Sequence, residues 1–230
     1  MSSPRILLSW SSGKDSAWAL KVLRERGDGE VVGLLTTLNA THQRVAMHAV
    51  REALLDLQAA AAGLPLWKVP LPWPCPDGVY EQLMSDVIAR CRAEGITAIA
   101  YGDLFLEDIR AYRLSRHAGS GIEPVFPLWQ LPTGDLARTM IQGGLKATLT
   151  CVDPKQLLPV FAGREFDEAL LAELPGQVDP CGENGEFHTF AWDGPMFARP
   201  IRIRKGEVVE RDGFVFADLT ARCFVASEDP

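Results

Sequence analysis

Short apolar runs alternate with longer amphipathic runs over the first 130 residues of the chain. The apolar runs have the length of buried strands, and the longer runs repeat apolar residues at helical spacing. Gly27 and Gly63 each follow a helical run, where glycine commonly ends a helix. In chain order the pattern predicts strand 5–10, helix 15–27, strand 30–38, helix 44–63, strand 65–71, helix 79–95, strand 96–104, helix 106–121 and strand 122–129.

Repeated strand–helix units of this length indicate an α/β fold with right-handed crossovers. We predict a Rossmann-like, doubly wound sheet of five parallel strands. Ligands of such sheets bind outside the carboxyl ends of the strands. That rule brings three stretches to one edge of the sheet: residues 9–16, Thr36-Thr37 and Gly102-Asp103.

The pattern changes after about residue 130. A helix over 135–144 and a strand over 145–153 precede short strands, which are predicted over 186–192, 197–206, 207–213 and 214–226. Turn residues at Asp193-Gly194-Pro195 and Asp212-Gly213 separate some of these strands. We therefore predict two domains, a larger one over 1–130 and a smaller α+β domain over 131–230.

Composition narrows the classes of function. The net charge is −7 and the sequence pI is about 5.2, which disfavours a general nucleic-acid binder. No apolar run reaches the length of a membrane span, and the N-terminal apolar stretch is too short for a signal peptide. Five cysteines are spread without a CxxC pair, which is typical of reduced thiols in a cytoplasm. We expect a cytoplasmic protein that binds neither nucleic acid nor membrane.

The stretch Ser9–Ser16, SWSSGKDS, joins the first predicted strand to the first predicted helix. A Walker A loop would need glycine at position 8 and Ser or Thr at position 15, where this chain has Leu8 and Asp15. Small side chains before a helix N-terminus instead leave room for a phosphate against backbone N–H groups. A plain serine-rich helix cap is the alternative interpretation.

Three residues of this loop carry specific expectations. Lys14 could supply positive charge to a phosphate. Asp15 suits the first turn of a helix or a Mg²⁺ ion carried by a nucleotide. If position 12 requires a positive φ, Ser12 is strained, because that conformation favours glycine.

Two further motifs combine charged groups with glycine. Residues 101–113, YGDLFLEDIRAYR, follow the fourth predicted strand; a solvated, salt-bridged helix start is the alternative. Residues 179–190, DPCGENGEFHTF, could form a tight loop that positions ammonia and a polar substrate; a glycine-rich entry to a hairpin is the alternative.

These motifs carry a family resemblance. SSGKDS resembles the SGGxDS signature of the PP-loop ATP pyrophosphatases (adenine nucleotide alpha hydrolases of the HUP type), with Ser12 at the usual first glycine. Together with RVAMHAV, GDLFLEDIRAYR, EPVFPLW and GENGEFHT in this order, it resembles the diphthine–ammonia ligase family of N-type ATP pyrophosphatases over nearly the whole chain. The GENGEFHT motif ends in His188-Thr189, and this ending resembles the sequence of the bacterial branch of the family.

The resemblance implies an enzyme, an ATP-dependent ligase that uses ATP and Mg²⁺. It would adenylate a carboxylate, release pyrophosphate, and let ammonia displace AMP. Its partners would be a small-molecule or protein carboxylate and ammonia, and the family suggests a homodimer. Because bacteria do not make the modified histidine of the named reaction, a bacterial member would act on another carboxylate, such as a corrinoid acid.

The resemblance also implies site residues. Catalytic roles fall to Lys14, Asp15, Glu183, Glu186 and His188, with Asp15 as the metal ligand and the last two handling ammonium. ATP-binding positions are Ser9, Trp10, Ser11, Ser12, Gly13, Ser16, Thr36, Thr37, Met47, His48, Gly102 and Asp103. Substrate-binding positions are Glu107, Asp108, Arg110, Asn184 and Thr189.

Two other functions stay open from the sequence. Ser12 leaves room for a non-catalytic ATP- or AMP-binding protein. Another PP-loop reaction, such as tRNA thiolation, is disfavoured by the acidic charge and by the lack of a cysteine pair.

Overall fold

The structure is a computed structural model that describes residues 3–40, 44–45 and 50–222. The first half contains β1 (Arg5–Ser9), α1 (Lys14–Arg26), β2 (Glu30–Asn39), β3 (Arg44–Val45), α2 (Glu52–Ala62), β4 (Leu66–Leu71), α3 (Asp77–Ala93), β5 (Ala98–Ala100), α4 (Glu107–His117) and β6 (Glu123–Val125). The second half contains α5 (Thr133–Gln142), β7 (Lys146–Val152), a 3₁₀ turn (Pro159–Phe161), α6 (Glu168–Glu173), β8 (Phe187–Asp193), β9 (Ile203–Arg211) and β10 (Phe214–Ala221).

The first sheet confirms the predicted α/β class. Parallel pairing joins β4 to β2, β2 to β1, β1 to β5, and β5 to β6. The chain leaves β1 through α1 toward β2 on one side, and β5 lies on the other side of β1. The carboxyl ends of β1 and β5 therefore flank the point where the strand order reverses, which is where such sheets bind ligands.

Neighbouring residues of the central strand face opposite sides of the sheet, as a pleated strand requires. Ile6 and Leu8 join a large apolar core with α1, α2 and the second sheet, whereas Leu7 joins a smaller core with Val87 and Cys91 of α3. The large core is continuous across both sheets, so it holds the second half of the chain against α1 and α2.

The second sheet is antiparallel, in the order β8-β7-β10-β9. The predicted hairpin turn at Asp212-Gly213 is confirmed, with φ of 52° and 80° between β9 and β10. All strands of the first sheet precede residue 130 and all strands of the second follow it. No helix among the described residues is long and apolar enough to cross a membrane.

Three predicted elements are wrong in detail. The predicted helix 44–63 begins only at Glu52, because Arg44 and Val45 pair antiparallel with the end of β2. The predicted strands 197–206 and 207–213 are replaced by one strand, β9, which runs through Gly206 and is offset by an irregularity in its pairing with β10. The sequence pattern also missed the short helix α6.

Candidate active site

The loop between β1 and α1 lies at the carboxyl edge of the parallel sheet. Ser12 has a φ of 72°, so the strained conformation expected at this position is present. Gly13 caps α1 in an extended conformation without a side-chain cap. Ser16 Oγ donates to the Gly13 carbonyl (3.0 Å) and lies 3.3 Å from Ser11 Oγ, so local serines brace the turn.

The backbone of Ser12 is fixed from two distant elements. Its carbonyl accepts from Gln58 Nε2 (2.9 Å) on α2 and from the Ala191 amide (3.0 Å) on β8. Its own side chain is fully buried, and Oγ has no hydrogen-bond partner among the described residues. Packing of both halves of the chain thus holds a serine where glycine would be unstrained.

Gln58 was missed by sequence reasoning. It is fully buried, and besides Ser12 it binds the Ala191 carbonyl (2.6 Å) and accepts from Trp10 Nε1 (2.9 Å). A signal was present, because Gln58 lies four residues after Leu54 on the apolar stripe of α2. A polar residue on such a stripe needs hydrogen-bond partners in the core.

Lys14 points into the second half of the chain. Its side chain is 2% exposed, and Nζ donates to both carboxylate oxygens of Asp15 (3.0 and 2.8 Å) and to the Cys181 carbonyl. The rings of Phe166 and Phe187 lie 5.6 and 5.5 Å from Nζ. Burial by itself lowers the pKa of Lys14, but the neighbouring Asp15 carboxylate leads the effects that together raise it above its ordinary value.

Thr189 joins the GENGEFHT motif directly to the phosphate loop. Its Oγ1 accepts from the backbone amide of Lys14 (3.0 Å), one of the first N–H groups of α1, which have no partner within the helix. Because this residue is 2% exposed, the bond is shielded from water. The second sheet thereby supplies the cap that the loop itself lacks.

Gly102 allows the end of β5 to touch the start of α1. A Cβ atom at Gly102 would lie 3.1 Å from the Asp15 carbonyl carbon and 3.1 Å from the Ser16 amide nitrogen. These are backbone atoms of a helix and cannot easily move. The sequence prediction that Gly102 lies beside the loop agrees with this contact.

These elements enclose a cavity of about 180 Å³, lined by residues of α1, the β5 edge and the GENGEFHT motif. The lining residues are Lys14, Asp15, Gly102, Asp103, Cys181, Gly182, Glu183, Phe187, His188 and Thr189. The sequence analysis placed the residues of α1 and the β5 edge on the nucleotide side of one site, and the residues of the GENGEFHT motif on its substrate side. The structure brings both sets of residues to one cavity.

Glu183 is a carboxyl group of the cavity with a pKa close to neutrality. Burial raises the pKa of Glu183 to about 7, and the Asp15 carboxylate adds to the rise. The hydrogen bond that Oε1 accepts from the Leu104 amide (2.8 Å) acts in the opposite direction. Burial also raises the pKa of Asp103, despite the Arg113 guanidinium nearby. A carboxyl group with a pKa near 7 can accept or donate a proton at neutral pH.

His188 and Glu186, the two groups expected to handle ammonium, occupy different surroundings. His188 lines the cavity, and burial, with the Lys14 charge, lowers its pKa to about 4, so the imidazole is neutral at pH 7. Glu186 Oε1 accepts from the Asp179 amide (2.8 Å) and from Asn184 Nδ2 (3.2 Å). Glu186 is not among the residues that line the cavity, and these bonds brace its loop.

The predicted substrate-binding residues of α4 lie outside the cavity. Glu107 and Asp108 are exposed in the first turn of α4. The Arg110 guanidinium lies over the Trp129 and Phe126 rings, at 4.8 and 5.5 Å.

The other predicted nucleotide residues fall into three groups. Trp10 is 1% exposed and its indole belongs to the core, so only its backbone borders the loop. Thr36 is also buried and its Oγ1 donates to the Trp10 carbonyl (2.7 Å), whereas Ser9 and Thr37 are half-buried at the strand ends. Met47 and His48 lie outside the described residues.

The carboxylates suit a metal ion only together with a nucleotide. No group of three or more Asp, Glu, His or Cys side chains in the described part of the chain is arranged to hold a metal. Asp15 and Asp103 nevertheless line the same cavity, and Asp103 Oδ2 is buried without a hydrogen bond to any described residue. Mg²⁺ usually takes one or two protein carboxylates and completes its shell with phosphates and water.

A phosphate-type loop at the switch point of a parallel sheet, facing a cavity with a near-neutral carboxyl group, defines a nucleotide-binding α/β protein. A family model described as the diphthamide synthase C-terminal domain matches residues 132–219. The diphthine–ammonia ligases of Homo sapiens and Bos taurus are 30% and 29% identical to the chain over 194 residues, covering 77% of it and 70% of each relative. The Rattus norvegicus diphthine–ammonia ligase is 26% identical over 94% of the chain and 88% of its own length.

The chain therefore belongs to the diphthine–ammonia ligase family, and it is a ligase. The resemblance predicted from the phosphate loop and the two distant motifs is confirmed. A bacterial origin stays a prediction.

Proposed function

We propose that the chain is an ATP-dependent ligase that joins a carboxylate to ammonia and forms AMP and pyrophosphate. The observation that carries the proposal is the Thr189–Lys14 bond, which sets the phosphate loop and the GENGEFHT motif around one cavity. The relatives are named as diphthine–ammonia ligases, which supports ATP and ammonia as substrates.

A carboxylate needs activation because its leaving group would be oxide. In the proposed reaction, its oxygen attacks the α-phosphorus of ATP, and the bond from that phosphorus to the β-phosphate oxygen breaks. Backbone N–H groups at the start of α1 would hold the departing pyrophosphate. Mg²⁺ held with Asp15 and Asp103 would supply charge neutralisation.

The second step forms the amide. Ammonia attacks the acyl carbon, the bond to AMP breaks, and the nitrogen loses a proton. We assign the acceptor of that proton to Glu183, because it lines the cavity and its pKa is about 7. His188 is neutral near pH 7 and is placed to hydrogen-bond in the same cavity.

The two halves of the chain would then bind different substrates. We propose that residues 1–130 bind ATP and that residues 131–230 contribute the groups for ammonia and the acyl substrate. Diphthine is the substrate named for the relatives, and the experiment below identifies the carboxylate on which this chain acts.

The test is pyrophosphate release from labelled ATP, with ammonium and a panel of carboxylates, followed by detection of the amide. Glu183→Gln should lose amide formation, and the matched control Glu165→Gln, an exposed change in the second half of the chain, should keep it. Loss in Glu186→Gln with retention in Glu183→Gln would move the proton-accepting role to Glu186. ATP binding without pyrophosphate release from any carboxylate would favour the non-catalytic function.

A further inference from the structure

Gln58 is a polar side chain inside an apolar core. It is fully buried on α2, where Leu54 and Ala62, one turn away on either side, are core residues. A buried amide costs free energy unless it is hydrogen-bonded, so the location of its partners shows what the residue does in the fold. All three partners lie in the loop of residues 9–16 or on β8, and they are Trp10, Ser12 and Ala191.

The orientation of the Gln58 amide follows from the chemistry of these partners. An indole N–H can only donate, and a carbonyl oxygen can only accept. Oε1 therefore faces Trp10 Nε1 (2.9 Å), whereas Nε2 donates to the carbonyls of Ser12 (2.9 Å) and Ala191 (2.6 Å). Both N–H groups of the amide are used, so an amide turned end for end would lose all three bonds.

The edge strand β8 holds the same loop carbonyl from the second half of the chain. The Ala191 amide donates to the Ser12 carbonyl (3.0 Å), and the Ala191 carbonyl accepts from Gln58. The loop, α2 and β8 thereby form a closed ring of hydrogen bonds. Ser12 has a φ of 72°, and a strained residue persists only where the surrounding contacts fix it.

The fixed Ser12 carbonyl decides where the next N–H group points. In a planar trans peptide the C=O and N–H bonds point in opposite directions. Because the Ser12 carbonyl points toward α2 and β8, the Gly13 N–H points away from them. Its contact with Ser11 Oγ is long, at 3.4 Å, which leaves this N–H able to donate to an anion. Gly13 is the N-cap of α1, so the helix dipole favours negative charge there.

We propose that Gln58 is the positioning residue of the phosphate loop. By fixing the Ser12 carbonyl, it turns the Gly13 N–H toward the pyrophosphate part of ATP. Gln58 is fully buried and acts only through the loop backbone. Its effect should be larger for pyrophosphate and ATP than for AMP, because the loop holds the departing pyrophosphate in the proposed reaction. The inference rests on the proposed function for this choice of ligand.

The test compares ligand binding by the full chain and by its Gln58→Met variant. Methionine nearly preserves the side-chain volume and removes both N–H donors. Calorimetric titrations use inorganic pyrophosphate, ATP and AMP, each with Mg²⁺. Pyrophosphate and ATP should bind about tenfold more weakly to the variant, as expected for the loss of one charge-assisted hydrogen bond. AMP binding should stay close to that of the original chain.

Thr148→Val is the matched control. Thr148 Oγ1 accepts from Trp192 Nε1 (3.1 Å) in the second sheet, so each variant takes an acceptor oxygen away from a tryptophan. Only Gln58→Met also releases the Ser12 carbonyl. Thr148→Val should therefore lose stability in urea unfolding and keep pyrophosphate binding. Equal weakening of pyrophosphate binding in both variants would overturn the proposal, and so would unchanged binding in Gln58→Met.

A second measurement needs no variant. In the ¹⁵N-labelled original chain, the Gly13 amide signal should shift more on titration with pyrophosphate than with AMP. An unmoved Gly13 signal in a chain that binds pyrophosphate would overturn the positioning role, even if Gln58→Met fails to fold. Weakened pyrophosphate binding in Gln58→Met without carboxylate-dependent pyrophosphate release would sink the ligase activity alone. An original chain that binds neither ATP nor pyrophosphate would sink both.

Discussion

Replacing Ser12 by glycine should stabilise the chain. Ser12 sits at a φ of 72°, a conformation in which a side chain costs about 1–2 kcal/mol relative to the right-handed region. Its buried Oγ has no partner among the described residues, and an unsatisfied buried hydroxyl costs about 1–3 kcal/mol. Ser12→Gly removes both penalties.

Two losses offset that gain. Glycine gives the unfolded chain more backbone freedom, which costs about 0.5–1 kcal/mol. Removing one buried CH₂ group costs about 0.8 kcal/mol more. We therefore expect the free energy of unfolding to rise by about 2 kcal/mol, within a range of about 0–4 kcal/mol. For a chain of this size each 1 kcal/mol moves Tm by about 2–4 °C.

The assay is thermal and urea unfolding of the nucleotide-free protein. Ser12→Ala is the matched control, because it removes the hydroxyl and keeps both Cβ and the strained backbone. Its gain should be about 1–3 kcal/mol, and relief of strain should bring Ser12→Gly level with it despite the two losses. A Ser12→Gly protein less stable than Ser12→Ala by the full sum of those losses, about 1.3–1.8 kcal/mol, would show that backbone strain contributes nothing. A Ser12→Gly protein less stable than the original would refute the reasoning altogether.

Three further predictions concern the cavity and its walls. Because the pKa of Glu183 is raised from 4.5 to about 7, the folded chain keeps a proton that the unfolded chain has lost in that range. Stability should therefore fall as pH rises from 4.5 to 7, and amide formation should rise through pH 7; Glu183→Gln should weaken the pH dependence of unfolding and should show no rise of amide formation in rate measurements. Thr189→Val should cost about 1–2 kcal/mol in urea unfolding because it leaves the Lys14 amide uncapped, whereas Thr189→Ser, which keeps the hydroxyl, should cost much less. Gly102→Ala should cost about 1–3 kcal/mol and weaken ATP binding in calorimetry, since its Cβ meets helix backbone at 3.1 Å, whereas Gly78→Ala, with open space around it on α3, should leave ATP binding unchanged and raise stability by up to about 1 kcal/mol; equal effects at the two glycines would contradict the close-contact argument.

Sequence patterns predicted most of the parallel sheet because its signals are local. Apolar runs, helical spacing and a glycine after each of α1 and α2 depend on residues only a few positions apart. The errors occurred where distant pairing overrides such signals. Arg44 and Val45 fit a helical pattern, yet β2 offers them an unpaired edge and they form β3.

The motifs likewise identified the cavity but not the roles within it. Glu183 and Glu186 are three residues apart in one glycine-rich loop, and nothing in their spacing separates them. In the fold, Glu183 lines the cavity, whereas Glu186 holds the Asp179 amide. Lys14 could equally have faced a phosphate or the protein interior, and packing against Phe166 and Phe187 turned it inward.

The sequence alone thus determined most of the order of strands and helices, the phosphate loop and the family, since each depends on short-range chemistry along the chain. Only the tertiary structure decided which groups share the cavity. The bond from the Lys14 amide to Thr189 Oγ1 spans 175 residues. Such a contact exists because the second sheet packs against α1 and α2 in a single core, and that packing is a property of the whole chain rather than of either motif.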